Sequence, residues 1–99
     1  MRRPRVLVID DRTTYATIVR EQLPELQLAE PAGTLEGRFE DGRRALRYLQ
    51  RHPDAVDVVL LDLNFDLPDK QLLPLDPGAS ARRTRRFQGI AILRELRKR

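Results

Sequence analysis

Three aspartates stand at the ends of the two most apolar runs in the chain. Asp10 and Asp11 follow directly on Val6-Leu-Val-Ile9, and Asp62 closes the run that begins at Val56. Like charges a few ångströms apart resist ionisation unless a cation intervenes. If folding brings these three together, they form a site for a hard divalent ion. Mg²⁺ suits it, because Mg²⁺ takes oxygen ligands, keeps several waters and commonly sits between carboxylates and a phosphoryl group. One carboxylate is then free to act as a nucleophile towards phosphorus. The plainer alternative is that Asp10 and Asp11 serve the start of the following helix, where acids are favoured, and that Asp62 ends its strand in solvent.

Which alternative holds depends on the elements that carry the acids. Arg5 to Ile9 is continuously apolar beyond its first residue and bounded by charge, the pattern of a strand buried on both faces of a parallel sheet. Thr13 and Thr14 offer an N-cap, and Tyr15, Ile18, Val19 and Leu23 follow at helical spacing up to Pro24. Residues 27–33 read as a connection, 34–40 as a weak strand, and Asp41-Gly42 as a turn. Arg43 to Arg51 reads as a helix with Ala45, Leu46 and Leu49 on one face, ended by His52 before Pro53. Val56 to Leu63 is the strongest strand. Residues 64–88, with Pro68, Pro74, Pro77 and Gly78, show no clear period and read as a long loop. Gly89 to Arg99 reads as a helix with Ile90, Leu93 and Leu96 along its apolar side.

Strands alternating with helices predict an α/β fold with a parallel sheet and right-handed crossovers. If the three runs order 2-1-3, the tips of the first and third strands are neighbours at the carboxyl edge, where sites in such sheets collect.

Composition bounds the rest. The chain has 99 residues, enough for one domain, with 40% hydrophobic and 34% charged residues, a globular balance. Without cysteine it has no disulfide or thiolate chemistry, and the single His52 cannot build a histidine-rich metal site. No apolar run is long enough for a membrane span or a secretory signal, so the expectation is a soluble, cytoplasmic protein without membrane contact. Charge is uneven: residues 1–81 carry 11 basic and 14 acidic side chains, and residues 82–99 carry 8 basic and 1 acidic. Such a tail can touch nucleic acid through phosphates. With Phe87 its only aromatic residue, the expectation is weak or indirect nucleic-acid contact at most, and the alternative is pairing with acids of the same chain.

Val6-Leu-Val-Ile-Asp-Asp11, Glu40-Asp-Gly42 followed by Ala45-Leu46, and Asp57-Val-Val-Leu-Leu-Asp-Leu63, in that order and spacing, resemble the receiver domain of two-component response regulators. The resemblance runs from about Arg5 to Leu63 and resumes over 89–97. It implies a flavodoxin-like three-layer fold and a single receiver-like domain over 1–99 with an inserted loop at about 64–88. It implies Asp62 as phosphoacceptor for a sensor histidine kinase, within a phosphorelay that regulates transcription. Asp11 would bind Mg²⁺ directly, Asp10 would assist through water, and Asn64 would add its backbone carbonyl. Such a module is not an enzyme beyond its own phosphorylation and dephosphorylation. The Arg-Arg-Phe-Gln-Gly stretch at 85–89 looks most like receivers of enhancer-binding transcription activators.

The departures bear on function. The family's last two strand–helix units, with a hydroxyl residue and a Lys that contacts the phosphoryl group, have no counterpart here. Arg85 and Arg86, leaving from above Asp62, would then be available for phosphate contacts. The strand 56–63 would become an edge, which invites homodimerisation. A second reading is therefore a phosphorylation-silent interaction or dimerisation module on the same scaffold.

Overall fold

A computed structural model describes residues 2–98. Strand β1 (Arg5–Ile9) is its axis and pairs in parallel with every other strand. Helix α1 (Thr14–Gln22) leads to β2 (Gln27–Leu28), and β3 (Arg38–Phe39) leads through Asp41 into α2 (Gly42–Arg51). Then come β4 (Val58–Leu61), a 3-10 turn at Asp69–Gln71, α3 (Ala81–Arg86) and α4 (Gln88–Arg97). Arg99, the last residue of the expected final helix, lies outside the described residues.

Hydrogen bonding from alternate β1 residues decides which neighbour takes which edge. The Pro4 and Val6 carbonyls accept from Gln27 and Ala29, and the Asp10 N–H donates to Phe39, so β2 and β3 lie end to end along one edge. The Arg5 and Ile9 carbonyls accept from Asp57 and Asp62, which puts β4 on the other edge. The sheet is thus open and parallel, with the first and third expected strands adjacent. One correction concerns residues 27–33: their first two residues pair with β1 as a strand, where composition suggested only a connection. The expected strand at 34–40 is reduced to Arg38–Phe39, because a turn at 33–37 with three positive-φ residues, Gly33, Glu36 and Gly37, breaks it.

Val6 to Ile9 are fully buried, as a strand covered on both faces must be. Side chains alternate across the sheet. Val6 and Val8 pack under Ala16 and Val19 of α1, whereas Leu7 and Ile9 meet Ala45 and Leu46 of α2, Ala91 and Ile92 of α4, and Phe65. Each such aliphatic side chain contributes about 1.5–3 kcal/mol on burial. Two layers of helix around one sheet follow from this alternation.

Helix α2 starts one residue earlier than the expected Arg43, and what reads as an Asp41-Gly42 turn is its N-cap: the Asp41 carboxylate accepts from the Arg44 N–H at 2.9 Å. In α1 the expected threonine cap is absent: Thr13 is at the cap position but makes no side-chain bond. The acid of Asp10 accepts from the Arg12 N–H just upstream instead.

Residues 64–88 are more ordered than their proline content suggests. Phe65, Leu72 and Leu73 are buried in the larger core cluster. Fully buried Gln88 binds both backbone groups of Leu73, accepting at 2.7 Å and donating at 3.0 Å. Replacing Gln88 by Leu leaves the Leu73 N–H and carbonyl buried without partners. A loss of about 1–3 kcal/mol on urea denaturation is the expected result. The α4 face also differs from expectation. Gln88, Gly89, Ala91 and Ile92 are its buried residues and Leu96 packs against the core as expected, whereas Ile90 and Leu93 face out; Gly42 allows Ile92 to approach closely on this side.

The tail pairs in part with the rest of the chain, Arg85 with Asp69 at 2.7 Å and Arg94 with Asp76 at 2.9 Å. Among the described residues, no helix is long and apolar enough to cross a membrane.

Candidate metal centre

Backbone bonds pin two of the three acids. The Asp10 N–H donates to Phe39 and the Asp62 N–H to Ile9, both at 3.0 Å, so each ladder continues one residue past the strand ends. Asp11 is the next residue of the β1–α1 connection. The result is that one carboxylate oxygen from each of Asp10, Asp11 and Asp62 lies within 4.8 Å of the others. Sequence spacing alone placed them at one sheet edge; the register of β1 against β4 makes them a cluster.

Each acid has a different environment. Asp10 is 2% exposed, and one of its oxygens accepts from the Arg12 N–H at 3.0 Å. Burial pushes its carboxyl above the ordinary range; the Arg12 backbone bond works against that, and the charge and hydrogen bonding of Asp62 add to the rise. One oxygen of Asp11 accepts from the Asp66 N–H at 2.8 Å, tying the chain after β4 to the site. Its other oxygen is buried and has no hydrogen-bond partner among the described residues. A buried carboxylate oxygen without a donor carries a desolvation cost, which a cation would remove. Asp10, Asp62 and Asn64 line a cleft of 290 Å³ together with Arg12, Thr14 and Tyr15. The expected packing role of Tyr15 on the α1 core is met, but the same residue also borders the site.

The raised Asp10 has a thermodynamic consequence whose sign is fixed. Above pH 3.8, the ordinary value, the unfolded chain releases this proton before the folded chain does. Stability therefore falls as pH rises from there until folded Asp10 has also ionised, and stays lower beyond. Asp10→Asn keeps an acceptor for Arg12 and removes the buried charge. It is expected to flatten this part of the pH profile and to stabilise the metal-free protein by about 1–2 kcal/mol at neutral pH, measured by urea denaturation. Asp57 has the opposite sign: the Arg5 side chain and N–H bonds hold its carboxyl below the usual range. Its contribution is present above pH 3.8 and is lost as pH falls through its lowered value.

Arg85 and Arg86 reach the rim of the site but not its centre. With Arg12, Asn64, Asp66 and Arg82 they line a second cleft of 390 Å³, which shares Arg12 and Asn64 with the first. His52 is the C-cap of α2, as expected, with its ring tilted against Tyr48 at 4.8 Å between centroids.

Sequence reasoning missed Arg12, Gln88 and Gly89. Gly89 lets α4 close on the end of β4: its N–H donates to the Leu63 carbonyl at 2.8 Å, and a Cβ there would meet the Asp62 carbonyl and lie 2.7 Å from Leu63 Cα. A glycine and a glutamine side by side before an apolar helix were the available signal.

Compared with known proteins, the chain matches no family model, and no curated protein or solved structure is significantly similar to it.

Proposed function

We propose that this chain is a phosphoacceptor module of receiver type, with a partial flavodoxin-like fold, working in two-component signalling. The observation that carries the reading is the meeting of Asp10, Asp11 and Asp62 at the carboxyl ends of two adjacent parallel strands. The unpartnered buried oxygen of Asp11 and the strained ionisation of Asp10 fit a divalent cation as the missing partner. Mg²⁺, when bound, would neutralise the cluster and offset charge on phosphoryl oxygens.

Within that reading Asp11 is the direct ligand, Asp10 supports it, and the Asn64 carbonyl lies close enough in sequence to Asp62 to complete the set. Asp62 is the nucleophile. It is half-buried, and its backbone N–H is fixed to β1, which holds its carboxylate in the open cleft. A carboxylate oxygen attacks phosphorus of a phosphohistidine on a sensor kinase, the P–N bond breaks, and the imidazole leaves with the electron pair and takes a proton from water. The product is an acyl phosphate on Asp62. Hydrolysis of that acyl phosphate by the same module returns it to the resting state, and its output is a change of surface around the site.

Beryllofluoride, a mimic of the phosphoryl group, tests this. With Mg²⁺ the wild-type chain should give a bound fluorine NMR signal that chelator removes and Asp62→Asn abolishes. An unchanged signal in Asp62→Asn would refute the assignment.

One observation favours the second reading, an interaction module without phosphorylation. The outer edge of β4 pairs with no strand among the described residues, and Val58, Leu63, Ile90 and Leu93 on or near β4 and α4 are exposed. Such an edge suits a second copy. Sedimentation of a dimer, together with no beryllofluoride signal, would favour this reading over the first.

A further inference from the structure

We infer that the arginine cleft beside the carboxylates is a binding subsite for a phosphate-type oxyanion. Its assignment to a phosphoryl group rests on the function proposed above. Two distant parts of the chain build it: Arg12 from the β1–α1 connection, and Arg82, Arg85 and Arg86 from α3. The spacing of the last three puts them on one face of that helix.

Four arginines line one cleft, and three of them form no ion pair among the described residues. Among the described residues, Arg12 and Arg82 form no ion pair, Arg85 pairs outward with Asp69, and Arg86 stands over the Phe87 ring. Asp66 is the one acid in the cleft wall. The arrangement is nevertheless held by backbone bonds. The Phe65 N–H donates to the Arg85 carbonyl at 2.9 Å, and the Gly89 N–H fixes the next helix to Leu63. Buried Gln88 anchors the segment to Leu73. Positive charge is thus concentrated where the fold could have spread it.

Guanidinium groups match the oxygens of phosphate in pairs. The shared wall of Arg12 and Asn64 puts this positive cleft directly beside the acidic one. An oxyanion there has guanidinium donors on one side and, with a cation on the aspartates, a positive charge on the other. That polarity would select a phosphoryl group over a carboxylate, because only the former has enough oxygens to serve both sides.

The test uses the full chain without metal and inorganic phosphate as the probe, followed by NMR of arginine Nε–H groups. Saturable shifts at Arg12, Arg82 and Arg86 are expected, and Arg12→Ala or Arg86→Ala should each weaken binding about tenfold. The double variant Arg47→Ala/Arg51→Ala, which removes two charges from α2, should change it less than about twofold. Asp11→Ala should lose any response to Mg²⁺ yet keep phosphate binding, so failure of the metal reading is told apart from failure of this one. Absence of saturable shifts in the wild-type chain would overturn the inference. So would equal weakening in the α2 control, which would mean that net charge alone attracts the anion.

Discussion

Gly89→Ala is expected to destabilise the protein by about 1–3 kcal/mol, although the same change inside a helix ordinarily stabilises by about 1 kcal/mol. The sign reverses because of what the new methyl group meets. Gly89 is buried in the first turn of α4, and its added carbon would collide with the backbone of Asp62 and Leu63. Backbone cannot rotate aside as a side chain can, so α4 must move away from β4. Asp62 sits at that junction, and the shift should therefore also weaken beryllofluoride or metal binding. Urea denaturation and metal titration of one variant measure both effects. A gain in stability with unchanged binding would mean that the helix does not press on the site.

Phe65→Ala should cost about 3–5 kcal/mol, a large part of the roughly 5–15 kcal/mol margin of a typical domain. The Phe65 ring is fully buried, three residues beyond Asp62, in the cluster that joins Leu7 and Ile9 of the sheet to Ala91 and Ile92 of α4. Its removal leaves a cavity beneath the segment whose Asp66 N–H bonds Asp11. The variant should therefore unfold at much lower urea and, where still folded, lose order at the metal centre. A cost under about 1 kcal/mol would show that the segment after β4 collapses into the space without penalty.

Much of this architecture can be read from local pattern. Val6 to Ile9 is apolar at every position and bounded by charge, the pattern of a strand covered on both faces; Asp41-Gly42 reads as a turn, and the structure makes that turn the N-cap of α2. The positions of the three aspartates follow from those elements once β1 and β4 are neighbours. Other features depend on contacts that no local pattern encodes. Two residues at Gln27–Leu28 are too few to show a strand period, and they pair because β1 has a free edge there. On α4 the apolar residues Ile90, Leu93 and Leu96 suggested one buried stripe. Leu96 does pack against the core, but Ile90 and Leu93 face out and the helix turns Ala91 and Ile92 inward, where Gly42 and Gly89 allow close approach. Residues 64–88 gave no period because their order comes from single anchors, Phe65 and Gln88, rather than from a repeating face.

Phosphoacceptor chemistry at this site requires that the three carboxylates share one divalent ion. Titration of Mg²⁺ into the wild-type chain, followed by calorimetry, addresses this without reference to any partner. Saturable binding of one ion per chain is predicted, lost in Asp11→Ala and strongly weakened in Asp62→Asn, with both variants still folded. Absence of saturable binding, or binding that survives both substitutions, would contradict it.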